Sequence, residues 1–583
     1  MPSGITALEL ESICNQLNSN PAAATAALIS IRDTSPNDTT LSLITLLVNC
    51  ERSNLSANAI FQCINIVQYN IAKYWVNSSS DTSDNNSSIF SNNKDQIESN
   101  IWLIMQLFLN SNKYPPFLLN KLIQMYCLLW KLSWCDYNKE VIQSLFFAKV
   151  FALISNIDNA THIKTGTILL REVVEQFNNK SFVEINLPIE FHKKCHRHFE
   201  FFGLNESFQA SFQIFTYNLG SISKLMTSQG CHSGDSNILG DKIQIFIENM
   251  KLFNEIVNWE FNENNNKLLK LNSCSNSNSS SDNTNEKPSI DVPITWIESI
   301  FTSNLIGNIL NTYDSFSIFL SSSSSNNNNN RENNNSILLI ANALSEIRIF
   351  LLTISSISEN SLKNESEKIF FVNFLLEKIV SVIDDNNQLI LNNAVIMNDI
   401  IYSEKNGEIE SFMNMLLKIF NNYSFQIIQK TPGYTNTITK LCIGTLARSN
   451  AINVFNKTNK SGTAALMSSY GYKNNNGFFF DTLNWNITTL FLTILQIVIQ
   501  NNFNYESEYN FNSSVNNTNE MVKKSIQSAS GQLFQVLFDN FLSTSISVAI
   551  AENIQDEDEG KIIICIENFQ MTYIYVQKSK KSI

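Results

Sequence analysis

Residues 56–75 carry Ala59, Ile60, Cys63, Ile64, Val67, Ile71 and Tyr74 at steps of three and four, the spacing that gathers apolar side chains on one face of an α-helix. Segments of this kind recur along most of the chain, and little interrupts them from within. Across 583 residues there are only 16 glycines and 9 prolines, so helix breakers are confined to a few junctions. A chain patterned this way builds its core from many helices joined by polar loops. Sandwiches and glycine-rich α/β enzymes are disfavoured on the same ground. The fold class expected is all-α.

Taken in order, helical spacing covers residues 7–17, 22–32, 41–50 and 56–75, with Pro21 opening the second helix and Pro36 closing it. The amino-terminal helices therefore span 1–75, and a Ser/Asn-rich loop follows over 76–96. Helical segments resume at 97–109, 116–134, 139–154, 165–177, 206–219 and 243–261, making 97–261 a second helical block. An Asn/Ser linker over 262–290 reads as disordered, as does a tract at 321–335, because neither can bury enough apolar surface. Residues 291–320 between them are helical. The remainder, 336–583, shows helical spacing at 336–357, 367–384, 409–429, 437–455, 483–501 and 521–554. Residues 561–577 are β-branched and aromatic, yet nothing nearby offers a strand partner, so they read as a last, atypical helix. Setting the tracts aside, helix pairs recur at roughly 40–50 residues, the range of HEAT and armadillo units. Such units tolerate loop insertions because each touches only its neighbours. The architecture expected is an α-solenoid, a superhelical stack of HEAT/armadillo-like antiparallel helix pairs with Asn/Ser-rich insertions. Whether 336–583 ends a truncated array is left open.

Composition and motifs exclude several functions. A net charge of −12 argues against a nucleic-acid backbone as the main partner and suits basic proteins. The first residues lack the basic and apolar regions of a signal peptide. The apolar run 487–499 is too short to span a bilayer, and 337–357 contains Glu346 and Arg348, so no membrane insertion is expected and an intracellular, soluble chain is. Ten cysteines are scattered with no C-x-x-C, which leaves no disulfide framework and no zinc spacing; most sit in apolar helical patterns as small hydrophobes. Phosphate-binding loops, a dinucleotide fingerprint, a nucleophile elbow and HExxH are all missing. No enzyme activity, catalytic residue or cofactor is expected. Asp556–Gly560 begins like a calcium loop and Glu567 falls at its twelfth position, but Lys561 stands where that loop needs glycine, so a solvated acidic loop is the reading.

The stretch 187–215 holds His192, His196 and His198 within seven residues. His192 and His196 are four apart, which puts both imidazoles on one helix face, as a metal site would require. However, these histidines and Cys195 are interleaved with Lys193, Lys194 and Arg197, which repel a cation, and no carboxylate or Cys pair follows at ligand spacing. The stretch reads as a basic helix with no metal.

Two blocks resemble the exportin-4-like group of the importin-β (karyopherin-β) nuclear transport receptor superfamily. In the first, LELESICNQL is similar to the family's opening helix. Residues 56–75, SANAIFQCINIVQYNIAKYW, are similar to its second-repeat helix, with a basic residue, one intervening position and Trp at the end. The second block runs through Glu190, Phe191 and His192, then Cys195, Arg197 and Phe199, then 208–215, and after an insertion Trp259 and Phe261. The resemblance covers residues 7–261. It implies an export receptor that binds RanGTP and protein cargo, contacts FG nucleoporins between its outer helices, and shuttles between nucleus and cytoplasm. Gln68, Asn70 and Lys73, near the polar border of the 56–75 helix, are the Ran-facing candidates it implies. Lys73 also reads simply as a solvated helix residue, and Trp75 as core at a helix end. Family members are longer than this chain, which puts cargo contacts and a second Ran contact in doubt. The alternative is a non-transport HEAT/armadillo interaction scaffold, whose helices would look the same; a Ran interaction separates the two.

Overall fold

Helix starts are set by local capping. The Thr6 hydroxyl accepts the Glu9 N–H at 3.3 Å and the Glu9 carboxylate accepts the Thr6 N–H at 2.9 Å, a reciprocal box that launches α1 (Ala7–Gln16). Asn20 caps α2 (Pro21–Thr34), Ser56 caps α5 (Ala57–Tyr74) and Asn159 caps α10 (Ala160–Phe177), each accepting a first-turn N–H. Pro36 does not merely end the second helix: it is the first residue of α3 (Pro36–Val48), where its missing N–H leaves no hydrogen bond unmade. After the short α4 (Cys50–Ser53), Asn54 takes a left-handed conformation, φ 49°, which asparagine tolerates better than most residues.

The computed structural model describes residues 5–76, 90, 92–111, 113–178, 189–227, 233–261, 290–302, 304–323, 331–393, 399–434, 437, 490 and 494. These residues are mostly helical, and among them no strand forms beyond an isolated parallel bridge between Ile290 and Ile357. The expected helices at 437–455, 483–501 and 521–554, the segment 561–577 and the acidic loop 556–560 lie outside the described residues, apart from isolated positions. So do the connector 180–187 and nearly all of the 262–290 linker.

Two compact units are present, Met1–Asn266 and Lys267–Ile583. The first contains α1 to α5, then α6 (Lys94–Leu109), α7 (Pro116–Ser133) and a 3-10 turn (Trp134–Asp136). It continues with α8 (Lys139–Ile142), a π turn (Gln143–Phe147), α9 (Ala148–Ile154), α10, α11 (Ile189–Phe202), α12 (Leu204–Thr227) and α13 (Ser233–Val257). Its helices pair as α3 with α5, α6 with α7, α9 with α10 and α12 with α13, while α5, α7, α10 and α13 pack on one another in succession. Helix α7 lies deep in this unit, with every residue from Met125 to Ser133 buried, so it shows no solvent face along its second half.

The second unit contains α14 (Ile294–Thr302), α15 (Leu305–Ser323), α16 (Arg331–Ser355), α17 (Glu365–Asn393), α18 (Asp399–Asn422) and α19 (Phe425–Lys430). Here α15 pairs with α16, α17 pairs with α18, and α16 packs on α18. The window Ser336–Ser355 of α16 is long and apolar enough to cross a membrane, and half of it is buried inside the unit. Ile340, Leu344, Ile347, Phe350 and Ile354 form its buried stripe.

Three departures from the sequence expectation have physical causes. The 321–335 tract is helical at both ends, since α15 runs to Ser323 and α16 starts at Arg331. Ser and Asn are weak helix formers but not breakers, and extending a formed helix adds one hydrogen bond per residue. Residues 139–154 are not a single α-helix, because the π turn widens the coil and lets the consecutive Phe146 and Phe147 both reach the core. The loop expected at 76–96 is likewise anchored: Phe90 is fully buried 5.5 Å from Trp75, and α6 begins at Lys94.

Candidate partner-binding surface

Helix α5 buries the stripe that its spacing implied, Ala59, Ile60, Cys63, Ile64, Val67 and Ile71. The three candidate Ran-facing residues part company. Lys73 is exposed, with its Nζ 5.5 Å from the Tyr69 ring and 4.9 Å from the Tyr74 ring. Arg32 lies over the other side of this patch, 3.9 Å from the Tyr69 ring centroid and paired with Asp33 at 2.9 Å. Gln68 is half-buried. Asn70 is no surface residue: it is fully buried, and its amide donates to the Thr40 hydroxyl at 3.2 Å, tying α5 to α3. The resemblance implies a Ran-facing position for Asn70, whereas the structure turns it inward, where Thr40 on the facing helix satisfies its amide. Trp75 is core, with Nε1 donating to Ser133 Oγ at 2.8 Å.

The signature residues of α11 divide between two faces. His192, Cys195, His196 and Phe199 are buried, whereas Glu190, Lys194, Arg197 and Phe201 point outward at helical spacing, Phe201 with 78% of its surface exposed. Glu190 pairs with Lys193 at 3.2 Å, and Phe191 is half-buried. The histidines expected to belong to a basic helix end are therefore mostly interior. His196 stacks on Trp259 with ring centroids 4.3 Å apart and planes 16° off parallel. Trp259 also lies 5.5 Å from Phe199 and donates Nε1–H to Glu200 at 3.3 Å. Phe261, just beyond, is half-buried. Burial, aided by the Lys194 ammonium, pushes the His198 imidazole below its ordinary range. Among the described residues, no three of His, Cys, Asp and Glu converge as a metal site would need.

Beneath α11 lies an aromatic hub centred on Trp134, whose ring sits 5.0 Å from Phe177, 5.2 Å from Phe199 and 5.7 Å from Phe146. The close approach of α11 depends on Gly203, where a Cβ would fall 2.6 Å from the Phe199 ring and 3.0 Å from Trp134. Sequence reading missed this hub. Its available signal was the i, i+4 pair Trp130 and Trp134 followed by Phe146 and Phe147.

Lys131, on the same helix end, is 2% exposed and donates Nζ–H to the carbonyl of Gln176 in the last turn of α10. Burial pushes its ammonium down to about 8, with Cys195 pulling the other way. Below that pH both folded and unfolded chains hold the proton, and the folded state bears the full cost of the buried charge. Between about 8 and about 10.4 only the unfolded chain keeps the proton, so the contribution of this group to stability rises with pH. Urea unfolding at about pH 7.5 and about pH 9 is expected to show wild type gaining stability relative to Lys131→Met. An unchanged difference would mean that the amine is not held in this low-dielectric site.

No family model matches the chain, and no curated protein matches it.

Proposed function

We propose that this chain is a nuclear transport receptor of the exportin kind, which binds a Ran-type GTPase in its GTP state and a protein cargo. In this reading the helix pairs of each unit stack as HEAT/armadillo-like repeats, and FG nucleoporins engage the outer helices. The observation that carries the transport reading is the two-part signature. Glu190–Phe199 and Trp259–Phe261, far apart in sequence, come together where Trp259 stacks on His196 and packs beside Phe199. The pairing order, with α5, α7, α10 and α13 packed in succession, supports the repeat part of the proposal, because units that touch only their neighbours produce such an order.

The surface assigned to Ran is the exposed edge of α5 with Lys73 and the half-buried Gln68; Asn70 serves it only by holding α5 against α3. The test is capture of the full chain on Ran loaded with a non-hydrolysable GTP analogue and, in parallel, on Ran-GDP. Binding to the GTP form alone is expected. Lys73→Glu is expected to weaken that binding by roughly tenfold while leaving the melting temperature unchanged. Asn70→Ala is expected to do the reverse, lowering the melting temperature with little change in affinity of the folded protein. A folded chain that ignores both nucleotide states would end the transport reading and leave the non-transport HEAT/armadillo scaffold.

A further inference from the structure

The cysteines are dispersed in sequence, yet among the described residues the fold brings the sulfurs of Cys135 and Cys195 into contact. Cys135 lies in the 3-10 turn Trp134–Asp136 at the end of α7, and Cys195 lies on the buried face of α11, which packs directly on that turn. Their Sγ atoms are 3.7 Å apart. A disulfide closes at about 2.05 Å, a gap that rotation of the side chains about χ1 can take up.

We propose that Cys135 and Cys195 form an oxidisable dithiol site: a hydroperoxide converts the pair to a disulfide that ties α11 to the end of α7. The two thiols occupy different environments, which assigns their roles. Cys135 is partly exposed and so reachable from solvent, whereas Cys195 is fully buried. Hydrogen bonding from Cys195 and the nearby Lys194 ammonium favour the Cys135 thiolate; the same contact, together with burial, keeps Cys195 protonated. Cys135 is therefore the attacking thiol and Cys195 the resolving one. The Cys135 thiolate attacks one peroxide oxygen, the O–O bond breaks, and the other oxygen leaves as an alcohol or water after taking up a proton. Cys135 is left as a sulfenic acid. The Cys195 sulfur then attacks Cys135 Sγ, the S–O bond breaks, and the departing hydroxide takes the Cys195 proton and leaves as water. Two thiols lose two electrons in all, and one peroxide gains them. A small dithiol reverses the change through a mixed disulfide. Cys14, Cys50, Cys63 and Cys127 are all buried, and burial pushes the thiols of Cys14, Cys63 and Cys127 above their ordinary range, which keeps them out of the reaction.

The test treats the full chain with hydrogen peroxide, alkylates the remaining thiols and maps the peptides by mass spectrometry. The expected product is an intramolecular link between the Cys135 and Cys195 peptides, two hydrogens lighter than the reduced pair and removed by dithiothreitol. In Cys195→Ser the Cys135 sulfenic acid is expected to persist and be captured by dimedone; in Cys135→Ser, Cys195 is expected to stay unmodified. Wild-type Cys135 advancing to sulfinic acid with no link to Cys195, or another cysteine pair linking at a comparable rate, would overturn the proposal. The wild-type peptide map decides the matter even if a serine variant fails to fold.

Discussion

Trp134→Ala is expected to remove about 3–5 kcal/mol of stability, the range for emptying a buried large aromatic position. Trp134 is fully buried and touches rings from four neighbouring stretches of chain. Trp130 on α7 lies 6.1 Å away, Phe146 and Phe147 of the π turn 5.7 and 6.3 Å, Phe177 of α10 5.0 Å, and Phe199 of α11 5.2 Å. Alanine forfeits the transfer free energy of the indole and leaves a cavity walled by rings that have little freedom to collapse into it. Phe199, for example, is already stacked on Phe177 at 4.5 Å. The indole Nε1–H makes no hydrogen bond among the described residues, so Trp134→Phe keeps much of the ring packing, sheds an unsatisfied donor and should lose clearly less. Urea unfolding followed by far-ultraviolet circular dichroism measures both. A Trp134→Ala variant within about 1 kcal/mol of wild type would show that the hub is not the centre of this unit's packing.

Glu408→Gln is expected to cost a comparable amount, about 3–5 kcal/mol, through charge. Glu408 on α18 is fully buried and accepts a hydrogen bond from the Tyr313 hydroxyl on α15. Arg348 on α16, 7% exposed, acts on the same hydroxyl. Burial, reinforced by the Glu408 carboxylate, pushes the Tyr313 phenol far above its usual range, while Arg348 works against that rise. Glutamine preserves the shape and an acceptor for Tyr313, but it removes the negative charge that shares the Tyr313 hydroxyl with the Arg348 guanidinium in a low-dielectric site. Tyr313→Phe, which removes only the hydroxyl, should lose about 1.5–3 kcal/mol, the range for a hydrogen bond to a charged group. Adding Arg348→Met to Glu408→Gln should recover part of the loss, and the double-mutant cycle reads that coupling directly. Strictly additive losses would show that carboxylate and guanidinium do not compensate each other.

The helices and their buried stripes were legible where the three-and-four spacing is regular: α5 buries the face read from Ala59 to Ile71. What the sequence hid depended on neighbours distant along the chain. Asn70, a Ran-facing candidate at the polar border of its helix, is buried because Thr40 stands opposite it. His192, Cys195, His196 and Phe199 fall at the positions of one buried stripe, but three of them were weighed as charges or ligands rather than as flat or small packing groups. Cys135 and Cys195 gave no local signal, since pairing between distant cysteines is set by the fold and not by spacing. The π turn escaped for a related reason, because a regular helical reading does not place consecutive phenylalanines on one face.

The long apolar stretch of α16 has a consequence for the chain during synthesis. When Ser336–Ser355 leaves the ribosome, α18 with Glu408 has not yet been made, and the segment meets the cellular machinery as a hydrophobic length sufficient for a bilayer. Arg348, near the middle of that length, opposes partition into lipid by about 2.5–3.5 kcal/mol. The same side chain later sits beside Tyr313 and Glu408 in the finished unit. One guanidinium thus counts twice, first as a charge that makes lipid costlier for this apolar length, and afterwards as a group that acts on the Tyr313 hydroxyl in the finished unit.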